Sequence, residues 1–151
     1  MVETKTAEKF VYEDAIKLTL LKRFGSIYNP ETNQIRVETE YNEIVLRNMG
    51  DNCNAVSRIV LEVIDGQVYE FTAMGNRPAI YYSDESENQT KEIASGHTQA
   101  KHRFVLDSKG KVWDPILNEW GEKDPEAYRG LFSFPNSSRT TFKPLEIEQN
   151  Y

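Results

Sequence analysis

Lys101-His102-Arg103-Phe104-Val105-Leu106-Asp107 and Lys111-Val112-Trp113-Asp114-Pro115-Ile116 flank the turn Ser108-Lys109-Gly110. The stretch reads as a β-hairpin, because apolar and polar residues alternate along both arms. Asp at the first turn position and Gly at the fourth, here Asp107 and Gly110, suit a type I turn followed by a G1 bulge. Gly110 is therefore expected at positive φ, which side-chain-bearing residues resist. With Ser108 to Gly110 as the loop, Asp107 pairs with Lys111, Phe104 lies opposite Asp114, and His102 lies opposite Ile116. Residues 102, 104, 106, 112, 114 and 116 are then expected on one face, with Val105 and Trp113 packed together on the other. His102 and Asp114 become diagonal neighbours, roughly 7–8 Å apart at Cα, within reach of an imidazole and a carboxylate. A slip of one residue would put them on opposite faces.

Upstream, Asn48-Met49-Gly50-Asp51-Asn52 is turn-rich and leads into Ala55, Val56, Ile59, Val60 and Val63, apolar at helical spacing. Asp51 or Asn52 can cap this helix, Cys53 falls in its first turn, and Asp65-Gly66 ends it. Residues 7–24 predict an amphipathic helix. Its core face is expected to carry Phe10, Val11, Ala15, Leu18, Leu21 and Phe24, with Gly25 as the stop. Asn29-Pro30 begins a turn. Strands are expected at Ile35 to Thr39, Ile44 to Leu46, Val68 to Thr72 and Ala79 to Tyr82. Residues 83–99 are polar and are expected to form a long surface loop. Downstream of the hairpin, Asp124-Pro125-Glu126-Ala127-Tyr128 starts a short helix and Phe132 to Phe134 adds a strand. The polar tail after Pro135 is expected to fray. Together these elements give one α+β domain over 1–151, its N-terminal helices packed on a small antiparallel sheet.

Composition narrows the function classes. A net charge of −6 and a pI near 5.0 repel phosphate, which argues against a nucleic acid or an anionic membrane as partner. No apolar run approaches the roughly 20 residues of a spanning helix. The start, Met1-Val2-Glu3-Thr4-Lys5-Thr6, lacks the apolar core of a signal peptide. A single Cys makes no internal disulfide. The expected location is the cytoplasm, or a target cell reached as part of a larger secreted protein. No metal or cofactor is expected. Two His and one Cys provide no ligand pairs at zinc-finger spacing, the acidic residues at 84–87 read as a solvated run, and no Gly-rich phosphate loop is present.

Cys53, His102 and Asp114 carry the chemistry. A thiol nucleophile needs a base for its proton, and the base needs an orienting partner. The thiolate is the reactive form, favoured by a helix N-terminus and a nearby imidazolium. Singly, each residue has an ordinary structural reading: Cys53 as a small core residue, His102 as a satisfied strand residue, Asp114 before Pro115 as a turn former. In this order, with the hairpin register bringing two of them together, they form a candidate site. His97, after Gly96 in the expected loop, is the alternative base. Trp113, Trp120 and Tyr128 read as core or cleft wall, and Tyr81-Tyr82 as a strand end or a substrate-facing pair.

Asn52-Cys53-Asn54-Ala55-Val56, Lys101-His102-Arg103-Phe104-Val105 and Gly110-Lys111-Val112-Trp113-Asp114-Pro115 resemble the papain-like cysteine hydrolases. The order Cys, His, Asp, with the Cys at a helix start and the others on adjacent strands, is theirs. More narrowly, the chain resembles the papain-fold domains of bacterial toxins and glutamine-deamidase effectors. The resemblance covers residues 48–116, extending toward Trp120. It implies a thioester at Cys53, His102 as base and Asp114 as its orienter. No Gln precedes Cys53 at the papain oxyanion position, so Asn48, Asn52 or the Cys53 backbone N–H is the implied donor. It also implies a protein substrate, with a neutralising immunity-type protein as a further partner. Deamidation, proteolysis and transglutamination share this chemistry. A degenerate relative would be a catalytically inactive interaction module.

Overall fold

The computed structural model describes residues 2–24, 28–30, 34–38, 43–46, 50–84 and 88–145. Helices α1 (Val2–Phe24) and α2 (Gly50–Val63) bracket a three-stranded antiparallel sheet of β1 (Tyr28–Asn29), β2 (Gln34–Glu38) and β3 (Glu43–Leu46). The remaining strands are β4 (Gly66–Gly75), β5 (Ala79–Asp84), β6 (Gln89–Ser95), β7 (Gln99–Asp107), β8 (Val112–Asp114), β9 (Glu119–Trp120), β10 (Phe132–Ser133) and β11 (Ser137–Pro144). A short helix α3 (Pro125–Arg129) precedes β10. A five-stranded sheet has the order β11-β4-β7-β8-β9, and a three-stranded one the order β10-β5-β6. Every pairing is antiparallel. The architecture is thus mixed α+β.

Strand alternation gives the five-stranded sheet two apolar faces and two cores. Val68 of β4, Val105 of β7 and Trp113 of β8 point to the helices, where Ile16 and Leu20 of α1 meet Val56, Ile59 and Val60 of α2. Phe71, Phe104 and Val112 point the other way, into an aromatic core closed by Ile80, Tyr82 and Ile93 of the smaller sheet and by Tyr128 of α3. Burying a large aliphatic or aromatic side chain contributes about 1.5–3 kcal/mol, so both cores hold the sheet in place.

The hairpin register is the expected one. Val105 pairs with Trp113 and Leu106 with Val112, so Phe104 falls opposite Asp114. Gly110 has φ 79°, and Asp107 N–H donates to the Lys111 carbonyl. Val105 and Trp113 share the helix-facing core. Ile116 departs from expectation. The strand stops at Asp114, Pro115 to Leu117 turn into a 3-10 helix, and Ile116 packs into the helix-facing core instead of lying opposite His102. The reason is Pro115, which has no N–H to continue the ladder.

Other expectations change as well. Helix α1 starts at Val2, and its seam is Ile16 and Leu20, one turn apart. The face drawn through Val11, Leu18 and Leu21 is turned to solvent, with exposures of 63%, 52% and 40%. Apolar residues surround most of this helix, so spacing alone admits two stripes. The seam is fixed by its neighbours: Tyr12 meets Trp113 edge-on at 6.3 Å, Lys17 lies over Trp120, and Arg23 pairs with Glu62. Most of the described part of 83–99 is not a loop, because Gln89–Ser95 form β6, which pairs with β5 along its length. Only Ile93 of that strand is buried, so it carries no apolar alternation to read. Nor do residues 137–144 of the expected tail fray, while residues 146–151 lie outside the described residues. Strand β11 pairs with β4 from Ser137 to Pro144, a half-exposed edge strand held by backbone bonds. Helix α2 begins at Gly50, so Asp51 and Asn52 lie within its first turn instead of capping it.

Candidate active site

The hairpin that carries His102 and Asp114 is fastened by Asp107. One carboxylate oxygen accepts from the backbone N–H of Lys109 at 2.9 Å and of Lys111 at 2.8 Å. The other accepts from Trp113 Nε1 at 2.8 Å. Three bonds from one side chain fix both turn and register, and register decides which face Asp114 occupies. Strand β8 covers β7 only at Val105 and Leu106, which leaves the edge of β7 near His102 clear of β8. Across β7 on its other side, His102 faces Phe71 of β4.

Around the imidazole the structure gathers residues from five elements. His102 Nε2 lies 2.5 Å from Asp114 Oδ2, and both side chains are buried. Tyr128, on α3, donates its hydroxyl to the same Oδ2. That hydroxyl is 3.3 Å from His102 Nε2. Phe104 and Phe132 stack or tilt against the His102 ring. His102 Nδ1 is buried and has no hydrogen-bond partner among the described residues. With Nε2 committed to Asp114, Nδ1 is the nitrogen left for the Cys53 thiol, which is close enough to raise the proton affinity of the imidazole. Cys53 is the fourth residue of α2, at the end of its first turn.

Burial by itself pushes the His102 pKa down, because a dry interior penalises the imidazolium. The Asp114 charge and hydrogen bond outweigh this, Cys53 adds to them, and the value rises from 6.5 to about 9. The imidazole is therefore protonated at neutral pH and able to stabilise a thiolate. Tyr128 is raised well above its ordinary value, first by burial and then by the charge of Asp114. Its hydroxyl thus stays a donor.

Comparison with protein-family models, with curated proteins and with solved structures finds no match to this chain.

Of the residues singled out from sequence, Cys53, His102 and Asp114 come together. His97 does not join them: it sits exposed in the bend between β6 and β7, where its carbonyl accepts from Arg77 N–H. Asn48 lies outside the described residues, and so does the side chain of Asn52. Among the described residues no group of three or more His, Cys, Asp or Glu side chains is placed to hold a metal ion, and no helix is long and apolar enough to cross a membrane. Tyr128 is the participant that sequence reading assigned to the core or the cleft wall, with no role toward His102 or Asp114. A signal was present, since a buried tyrosine hydroxyl needs a partner. The identity of that partner depends on where α3 packs, which no local pattern specifies.

Next to His102 on β7, Arg103 Nε donates to Glu70 Oε2 at 2.8 Å, and Thr72 Oγ1 donates to Glu70 Oε1 at 2.9 Å. By strand alternation this pair projects to the helix side, away from the aromatic core. It ties β4 to β7 directly beside the imidazole.

Proposed function

We propose that this chain is a cysteine-dependent amide hydrolase of papain-like type, acting as a protein-glutamine deamidase in a toxin or effector setting. One observation carries the reading: a buried imidazole is gripped by Asp114 through Nε2, its Nδ1 has no hydrogen-bond partner among the described residues, and Cys53 is close enough to raise its proton affinity. A purely structural core has little use for this arrangement, since a buried ionisable cluster is costly and apolar residues would fill the space more cheaply.

In the proposed reaction the Cys53 thiolate attacks the side-chain carboxamide carbon of a glutamine. The carbonyl oxygen takes the negative charge, facing the backbone N–H of Cys53 with Asn48 or Asn52 as further donors. The imidazolium of His102 gives its proton to the departing nitrogen, the C–N bond breaks and ammonia leaves. A thioester remains. Water then attacks it, His102 takes the water proton, and the C–S bond breaks to leave glutamate and the thiol–imidazole pair. Asp114 holds the ring orientation and stabilises the imidazolium throughout.

A second reading has its own support. Cys53 is only 1% exposed, as a sealed, inert thiol in a non-catalytic interaction module would be. Iodoacetamide labelling at neutral pH separates the two. The hydrolase reading expects Cys53 in folded protein to react faster than in unfolded protein, and expects the advantage to vanish in His102→Ala. The module reading expects folding to protect the thiol. Intact mass measurement of incubated candidate proteins then names the reaction. A gain of about 1 Da per site marks deamidation, fragments mark a cysteine protease, and incorporated amine marks a transglutaminase.

A further inference from the structure

The hydroxyl of Tyr128 and the Nε2 of His102 converge on one oxygen, Oδ2 of Asp114, and approach each other to 3.3 Å. A tyrosine that needed only a partner for its hydroxyl would be served by either carboxylate oxygen. Two donors on one acceptor are coupled, because each draws on the same lone pairs and the same charge. Helix α3 carries Tyr128 to this approach. Asp124 caps it by accepting from Ala127 N–H at 2.8 Å, Pro125 opens it, and Tyr128 follows one turn later with its ring edge-on to Phe104 and Phe132.

We propose that Tyr128 is a positioning residue of the site: through Oδ2 of Asp114 it fixes the carboxylate against His102 and sets how strongly that carboxylate holds the imidazolium. This deepens the hydrolase reading and, as a role in turnover, rests on it. The direction follows from electrostatics. A hydroxyl donating to Oδ2 spreads the negative charge of Asp114 and weakens its pull on protonated His102. Loss of that hydroxyl leaves the whole charge to the imidazole and raises its proton affinity. Tyr128 therefore acts as a damper that keeps His102 able to release its proton to the departing nitrogen in the first half of the reaction.

Few groups compete for this role. His102 is faced by Cys53 from α2, Asp114 from β8 and Tyr128 from α3, while Phe71, Phe104 and Phe132 supply apolar walls. Tyr128 in turn senses Asp114, Tyr82 of β5 and Glu119 of β9. Glu119 is paired with Lys123 at 2.8 Å, which limits its reach.

The test is the titration of His102 followed by NMR of ring-labelled protein. The chain has two histidines, and exposed His97 serves as the internal reference. In Tyr128→Phe the His102 midpoint should rise by roughly one pH unit above the wild-type value, with His97 unmoved. Site-specific 3-fluorotyrosine at position 128, a stronger donor of the same shape, should move the His102 midpoint down. A core-filling tyrosine would alter stability and leave both midpoints in place. An unchanged midpoint in both proteins overturns the proposal. If Tyr128→Phe fails to fold, the fluorotyrosine protein decides, and an unmoved midpoint there overturns it equally. Iodoacetamide labelling of wild-type Cys53 keeps the two ideas apart. Shifted midpoints with a folding-protected thiol leave the Tyr128 coupling standing and remove the hydrolase; unmoved midpoints with a hyper-reactive thiol do the reverse.

Discussion

Asp114→Asn removes the charge that holds His102 while keeping the size of the side chain. Its effect on stability should depend on pH in a way that no loss of packing would reproduce. The folded pKa of about 9 stands above the ordinary 6.5, a preference of roughly 3 kcal/mol for binding a proton in the folded state. A raised folded pKa contributes stability that is fully present below the unfolded pKa. It is lost as pH climbs through the folded one. Wild-type protein should therefore lose about 3 kcal/mol between pH 6.5 and about 9, measured by urea denaturation at a series of pH values. In Asp114→Asn, burial faces no carboxylate, the ring is neutral across that window, and the decline should be absent. The gap between the two proteins should be widest at the acid end, on the order of the 3–5 kcal/mol expected for breaking a buried charged pair. It should narrow steadily toward pH 9. A residue of the gap persists above that, since neutral His102 still donates to a carboxylate. A gap that stays constant from pH 6 to pH 10 would refute the charge-based account and leave Asp114 as a space-filling residue.

Other perturbations test the scaffold. Gly110→Val should cost only the strain of a positive φ, about 1–2 kcal/mol, since a Cβ there meets nothing within 4 Å. Gly121→Ala should lower the unfolding temperature further, because its Cβ would sit 2.4 Å from Trp113 Cζ2 at a φ of 76°. Asp107→Ala removes the acceptor of three hydrogen bonds and should cost about 2–4 kcal/mol in denaturant unfolding. It should also broaden the His102 ring signal as the hairpin register loosens. Asp124→Ala loses the cap of α3, about 1 kcal/mol by the same measurement, and should partly release Tyr128 from Asp114.

The hairpin was legible because its information is local. Asp107, Gly110 and the alternation on either side define turn, bulge and register within a few residues, and register places Asp114 on the face of His102. The helix around Cys53 was legible for a similar reason, since Val56, Ile59 and Val60 repeat at its period. Strands β6 and β11 were not, because a strand lying at an edge with one wet face is held by backbone bonds to a distant partner and needs no apolar pattern of its own. The buried face of α1 was misread for a related reason. Its sequence presents apolar residues on two sides, and only contact with α2, Trp113 and Trp120 selects Ile16 and Leu20. At the site, sequence alone supplied Cys53, His102 and Asp114, the last two coupled through a single turn. The packing of α3 against the sheet supplied Tyr128. Asp114, with Cys53 adding to it, then turned an ordinary histidine into one held near 9 against the burial that would lower it, because a charge in a dry interior answers to the few groups that touch it, and those groups arrive from separate elements.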